Sequence, residues 1–139
     1  MSVYYTDGSC SPNPGPGGFA VVQSGQPVRL GFDKDSTNIR MEGMALIAAL
    51  EHSNGEACEI NTDSEFWINV ITKWSLKWEA DGWRKKGGAI KNLDIVQKVC
   101  PLYRNSKAKL TWVRAHVGTE GNELADEWAN NARSQRLTK

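Results

Sequence analysis

Short alternating runs and longer helical stripes divide the chain into successive elements. Residues 3–6 are β-branched and aromatic, which predicts a strand ending at Asp7-Gly8. Residues 11–18 (SPNPGPGG) are too dense in Pro and Gly for a helix or a central strand and predict a turn. Residues 18–23 and 27–32 read as a strand pair around Ser24-Gly25, extending the first strand into a meander. Thr37 or Asn38 is placed to cap a helix reaching about His52, with Met41, Met44, Ala45 and Ala48 on one stripe. Residues 57–62 alternate, with Cys58, Ile60 and Thr62 on one face, and this run too ends in an aspartate, Asp63. Ser64 is placed to cap the next helix, whose stripe passes through Trp67, Val70, Ile71, Trp74 and Trp78 and breaks at Asp81-Gly82. A basic, Gly-ended loop comes next at 84–88. Residues 92–103 predict a helix with Leu93, Val96 and Cys100 aligned, and 107–114 alternate as a fifth strand. After a loop at 116–119, residues 121–133 predict a final helix with Leu124, Ala125, Trp128 and Ala132 inward.

A meander followed by crossover units predicts an α/β fold. Its five-stranded mixed sheet combines three antiparallel strands with two parallel ones, and helices flank both faces. The 139 residues predict one domain over 1–139, with the last residues, 134–139, expected to fray. Apolar residues at 40% and charged residues at 24% fit a soluble globular chain and exclude a disordered one. No apolar run approaches the roughly 18 residues of a membrane span, and no charged-then-apolar leader follows Met1. Cys10, Cys58 and Cys100 are odd in number and lack zinc-ligand spacing, which predicts a reduced, cytoplasmic chain. Nothing here demands more than a monomer or an obligate protein partner.

Net charge is only +1, but it is unevenly placed. Residues 73–109 carry ten Lys or Arg against three Asp or Glu, a local balance of +7 within an otherwise acidic chain. Such a segment reads either as a solvated helical face or as a phosphate-backbone footprint. Trp74, Trp78 and Trp83 lie among its lysines, where rings can stack on sugars or bases. A Trp74/Trp78 pair at i, i+4 equally fits a core stripe.

Asp7 and Asp63 end two strands at comparable positions, where open α/β sheets hold their ligands. Each alone reads equally well as a cap or turn residue. Glu42 falls in the first turn of the helix after the third strand, and Asp126 in the first half of the helix after the fifth. Both face inward if the apolar stripes face the sheet. Four converging carboxylates repel and raise one another's pKa values, and the usual remedy is a hard divalent cation held by oxygen ligands. Two magnesium ions about 3.5–4 Å apart can clamp the attacking and leaving oxygens of a phosphodiester displacement. With a basic, Trp-bearing segment in the same chain, this chemistry points to a nuclease before a phosphatase.

Six ordered blocks carry a resemblance. They are YYTDGSC with NPGPGG (4–10 and 13–18), TNIRME (37–42), TDS (62–64), KNLD (91–94), WVRAHVG (112–118) and GNELAD (121–126). Together they are similar to type 1 ribonuclease H in its compact bacterial or phage form, and they span residue 3 to about 133. The first predicted strand starts at residue 3, so the extra hybrid-binding domain of many eukaryotic members is not expected. The resemblance implies a ribonuclease H-like fold and an endonuclease that cuts the RNA strand of RNA–DNA hybrids, leaving 3′-hydroxyl and 5′-phosphate ends. It implies Asp7, Glu42, Asp63 and Asp126 as metal-binding catalytic acids holding two Mg2+ ions, with Mn2+ as a substitute. It also implies His116 as a loop histidine assisting proton transfer or product release.

The same resemblance implies a substrate surface. A protein that selects a hybrid must sense 2′-hydroxyls on one strand and their absence on the other, across a wide, shallow minor groove. Asn13 and Asn38 match amides that reach this groove, and the turn from Cys10 to Asn13 offers backbone partners for ribose hydroxyls. Thr37 and Asn92 match a pocket for a DNA-strand phosphate. Residues 73–91 resemble the family's basic protrusion, where Trp78 and Trp83 would line a deoxyribose channel and Lys85 and Lys86 would meet backbone phosphates. Four positions depart from the pattern: Ile39 and Glu65 stand where amides are common, and Glu79 and Asp81 where the protrusion is usually basic. The alternatives are another nuclease of the superfamily, such as a resolvase, transposase core or exonuclease, or a hybrid-binding module without catalysis.

Overall fold

The computed structural model describes residues 1–84, 88–114 and 120–139. Three antiparallel strands open the chain: β1 (Ser2–Cys10), β2 (Gly15–Gln23) and β3 (Gln26–Ser36). Helix α1 (Asn38–Ser53) crosses to β4 (Cys58–Thr62), which pairs parallel to β1. A composite helix comes next, made of α2 (Glu65–Asn69), a π-helical turn (Val70–Trp74) and α3 (Ser75–Ala80). Helix α4 (Leu93–Arg104) leads to β5 (Ala108–Trp112), parallel to β4, and α5 (Glu120–Gln135) closes the series. The sheet runs β3-β2-β1-β4-β5, the mixed five-stranded arrangement expected from the sequence.

Strand alternation assigns each side chain of β1 to one layer. Tyr4 enters the main core beneath α1, together with Leu46, Ala49, Ile60 and Trp67. Gly8 points the same way, and a Cβ there would fall on the backbone of Met41 and Glu42, so its bareness lets the start of α1 lie directly on the strand. On the other layer, α5 covers β1, β2 and β3 through Ala129 and Ala132 against Ala20 and Leu30. Gly18 plays the matching role there, since a Cβ would meet the backbone of Ala129 and Arg133. Helices therefore flank both faces.

Trp67 is fully buried, and its Nε1 donates to the Ile39 carbonyl at 2.7 Å, tying α2 to the first turn of α1. The stripe beyond it departs from the 3.6-residue reading. The π-helical turn adds a residue to the hydrogen-bonded ring and rotates the side chains after it. Trp74 is consequently 42% exposed, whereas Ser75 takes the buried position and donates to the Ile71 carbonyl.

Residues 134–139, expected to fray, run back to β3. The Lys139 N–H donates to the Leu30 carbonyl at 2.9 Å, and the Leu30 N–H returns a bond to Lys139 at 3.2 Å. Leu137 packs against the cluster under α5, and Lys139 Nζ donates to the Pro27 carbonyl. An edge strand offers unpaired backbone groups, and β3 satisfies part of its edge with the chain's own end. Among the described residues no helix is long and apolar enough to cross a membrane.

Candidate active site

The acids converge because two parallel neighbours have unequal lengths. β1 does not end at Asp7, as its sequence suggests; it continues to Cys10 because β2 goes on pairing with it on the other side. β4 does end, at Thr62, and the register Tyr5↔Asn61 brings Asp63 level with Asp7. Glu42 sits in the second turn of α1 rather than the first, and Gly8 lets that turn approach the strand. Ligand atoms of Asp7, Glu42 and Asp63 all lie within 4.8 Å of one another. Asp126, on the inner side of α5, shares a hydrogen bond with the Asp7 carboxyl.

Burial and like charge disfavour ionisation here. Burial, then the charge of Asp63 and the hydrogen bond with Asp126, push the Asp7 carboxyl up to about 9, although the Gly8 N–H donates to it at 2.9 Å. Burial pushes Glu42 up to about 7, opposed by a hydrogen bond from the Ser64 side chain and reinforced by Asp63. Ser64 also caps α2, accepting the Trp67 N–H. The set is all oxygen, anionic when ionised and repulsive without a counter-charge, so it suits a divalent cation.

Beside the acids, amides knit the Pro/Gly-rich turn to α1. Asn38 Oδ1 accepts the Cys10 N–H at 2.6 Å, and Asn13 Oδ1 accepts the Asn38 N–H at 3.2 Å. The Cys10 thiol is buried, 3.2 Å from the carbonyls of Pro12 and Gly15. Thr37 caps α1 by accepting the Arg40 N–H. Asn92, in the left-handed region at φ 59°, precedes α4.

Arg40 joins these two helix starts, a role its sequence neighbourhood does not announce. Its guanidinium donates to Asn92 Oδ1 and grips Asp94 with two bonds of 3.0 and 2.8 Å. The only sequence signal is a cation three residues after one helix cap and an anion two residues after another.

The aromatic residues divide differently. Trp78 and Trp83 are half-buried against the main core, and Trp83 holds a positive φ of 64°. Trp74 turns its face outward beside Phe66 and Trp78. Glu79, one of three acids in the basic segment, pairs with Arg104 at 2.6 Å. Ile39 and Glu65 are exposed. Lys85, Lys86 and His116 lie outside the described residues.

Known proteins resemble this chain in sequence and in fold. The family model for RNase H matches residues 1–134. The chain is 41% identical over 141 residues to a ribonuclease H of Methylorubrum extorquens (strain PA1), covering 99% of this chain and 62% of that protein. It is 40% identical over 141 residues to a ribonuclease HI of Xylella fastidiosa (strain 9a5c), covering 96% of this chain and 93% of that protein. Among solved structures, LC9-RNase H1, a type 1 RNase H with the type 2 active-site motif, superposes with a TM-score of 0.86 at 26% identity. That match covers 99% of this chain and 74% of the other.

Proposed function

The chain belongs to the RNase H family, and from that membership we propose that it is a metal-dependent endonuclease hydrolysing the RNA strand of RNA–DNA hybrids to 3′-hydroxyl and 5′-phosphate products. The observation that carries the reading is the meeting of Asp7, Glu42 and Asp63 within 4.8 Å, with Asp126 bonded to Asp7. Residues 1–139 act as one catalytic domain, with 73–91 as its protrusion.

Asp7, Glu42, Asp63 and Asp126 would hold two Mg2+ ions, with Mn2+ as a substitute. When bound, such ions activate water and stabilise the charge on the attacking and leaving oxygens. The chain's own residues do the rest. Ser64 orients Glu42, and the Gly8 N–H fixes one oxygen of Asp7. Asn13, Asn38 and the backbone from Cys10 present amide groups to the ribose 2′-hydroxyls in the minor groove. Thr37 and Asn92, braced by Arg40, receive a phosphate of the DNA strand. Trp78 and Trp83 shape the deoxyribose channel, and Lys85 and Lys86 meet the backbone beyond it. His116 assists proton transfer or product release. The chain works as a monomer in the cytoplasm, a compartment that suits its three buried free thiols.

A labelled RNA–DNA hybrid, duplex DNA, duplex RNA and a four-way junction, each with and without magnesium, test this reading. Magnesium-dependent cutting of the RNA strand in the hybrid alone is expected. Cutting of the junction would favour another nuclease of the superfamily, and binding without cleavage would favour a hybrid-binding module.

A further inference from the structure

Two residues beyond Asp7 on the same face of β1, Ser9 meets the last turns of α5. The Ser9 hydroxyl donates to Asn130 Oδ1 at 2.5 Å, and its oxygen accepts from Arg133 Nε at 3.1 Å. The hydroxyl proton is thus committed to Asn130, which turns a lone pair toward Arg133. Gly18 pairs with Ser9 across the ladder and has no Cβ where the Arg133 backbone passes, so this end of α5 lies close on the sheet.

Among the described residues the guanidinium is held through one nitrogen. The ion pairs there are Arg40–Asp94 and Arg104–Glu79, and Arg133 belongs to neither. Its Nη1 and Nη2 have no hydrogen-bond partner among them, and the side chain is half-buried rather than waving in solvent. A planar fork fixed at its Nε presents its outer edge as a bidentate donor, the geometry that suits a phosphate. At about 3.3 Å per residue, Ser9 stands roughly 7 Å along β1 from Asp7. A half-buried guanidinium with its outer edge open, bonded to a residue that close to the acids, is placed to receive an anion bound beside them.

Resting on the reading that the acid cluster cleaves a hybrid, we propose that Arg133, held by Ser9 and Asn130, is a positioning residue that binds a backbone phosphate of the RNA strand next to the scissile linkage. It aligns that strand on the acids and takes no part in the bond-breaking step. Thr37 and Asn92 are assigned to the other strand, so the two contacts fix the hybrid from both sides.

The test uses Arg133→Gln, Arg133→Lys and the unaltered chain, with hybrid binding measured by anisotropy in metal-free buffer across a salt series and cleavage measured with magnesium. Arg133→Gln should raise KM about tenfold, as loss of a charge-assisted hydrogen bond implies. It should lower kcat by less, and the salt slope of binding should fall by about one. Arg133→Lys should restore the slope while recovering only part of KM, since a point charge replaces a fork. An unchanged slope in Arg133→Gln, or a loss of thermal stability with binding intact, would make Arg133 a strut and overturn the assignment. The two readings fail separately. Absence of hybrid cleavage by the unaltered chain would sink the nuclease reading, whereas cleavage with an unchanged Arg133→Gln slope would sink this assignment alone.

Discussion

Asp63 comes directly after the last residue of β4, at the level where Asp7 is still inside β1, and the two carboxylates meet in the gap left where the parallel ladder stops. A strand interior holds Asp7 rigidly, and the strand end beside it leaves room for a ligand. Both conditions arise because β1 has a longer neighbour on one side than on the other.

The pairing sets a pH dependence. Burial and the charge of Asp63 raise Asp7 from 3.8 to about 9, and burial raises Glu42 from 4.5 to about 7. A raised carboxyl binds its proton more tightly in the folded state than in the unfolded one, so folding stability falls as pH rises through that window. Without metal, the contribution of these two carboxyls to stability should be fully present below about pH 4 and decline toward pH 9. Urea unfolding in chelator at several pH values checks this, and Asp7→Asn should flatten the decline. A stability that climbs over the same range would contradict a repulsive cluster.

Divalent cation binding should reverse that trend. The ligands must be deprotonated to bind, so magnesium should raise the melting temperature more at pH 8 than at pH 5. At a hundredfold excess over its dissociation constant the gain is about 2.7 kcal/mol. Calorimetric melting with and without magnesium at the two pH values measures it. An equal gain at both would place the ion elsewhere.

Arg40 links the starts of α1 and α4 through Asn92 and Asp94. The pair is partly exposed, with side-chain exposures of 31% and 66%. Arg40→Ala should therefore cost no more than about 1 kcal/mol of stability. It should nevertheless raise KM for the hybrid, because Asn92 and the start of α4 lose their tie to α1, while the cap of Thr37 on the backbone N–H of residue 40 stays. Denaturant unfolding beside steady-state kinetics separates the two effects. A large stability loss with KM unchanged would show a structural clamp and no phosphate pocket.

The basic segment should contribute through salt-sensitive contacts. Lys85→Ala combined with Lys86→Ala should weaken hybrid binding and flatten its salt slope by up to roughly two. An unchanged slope would remove both lysines from the footprint.

Asp7 and Asp63 are legible in the sequence because two short strand patterns stop at them, Glu42 and Asp126 because they sit beside apolar stripe residues near helix starts, and ordered motifs supply the rest. The extent of β1 is not, since its pairing with β2, a tertiary fact, carries the strand past Asp7. The outward turn of Trp74 is hidden for a different reason. A single π-helical turn shifts a stripe by one residue without changing its composition. The docked tail depends on an unpaired edge at Leu30, far away in sequence. Arg40 leaves only a faint signature and Arg133 none, because each works through a partner contributed by a remote element.

If the four acids hold divalent metal where the RNA strand is cut, magnesium must bind them when a hybrid is in place. Isothermal titration of magnesium into the protein bound to a non-cleavable hybrid, alongside Asp7→Asn under identical conditions, tests this most directly. Saturable heat in the unaltered chain, lost in the variant together with all cleavage of a normal hybrid, is the predicted result. Indistinguishable titrations, or cleavage surviving in Asp7→Asn, would contradict it.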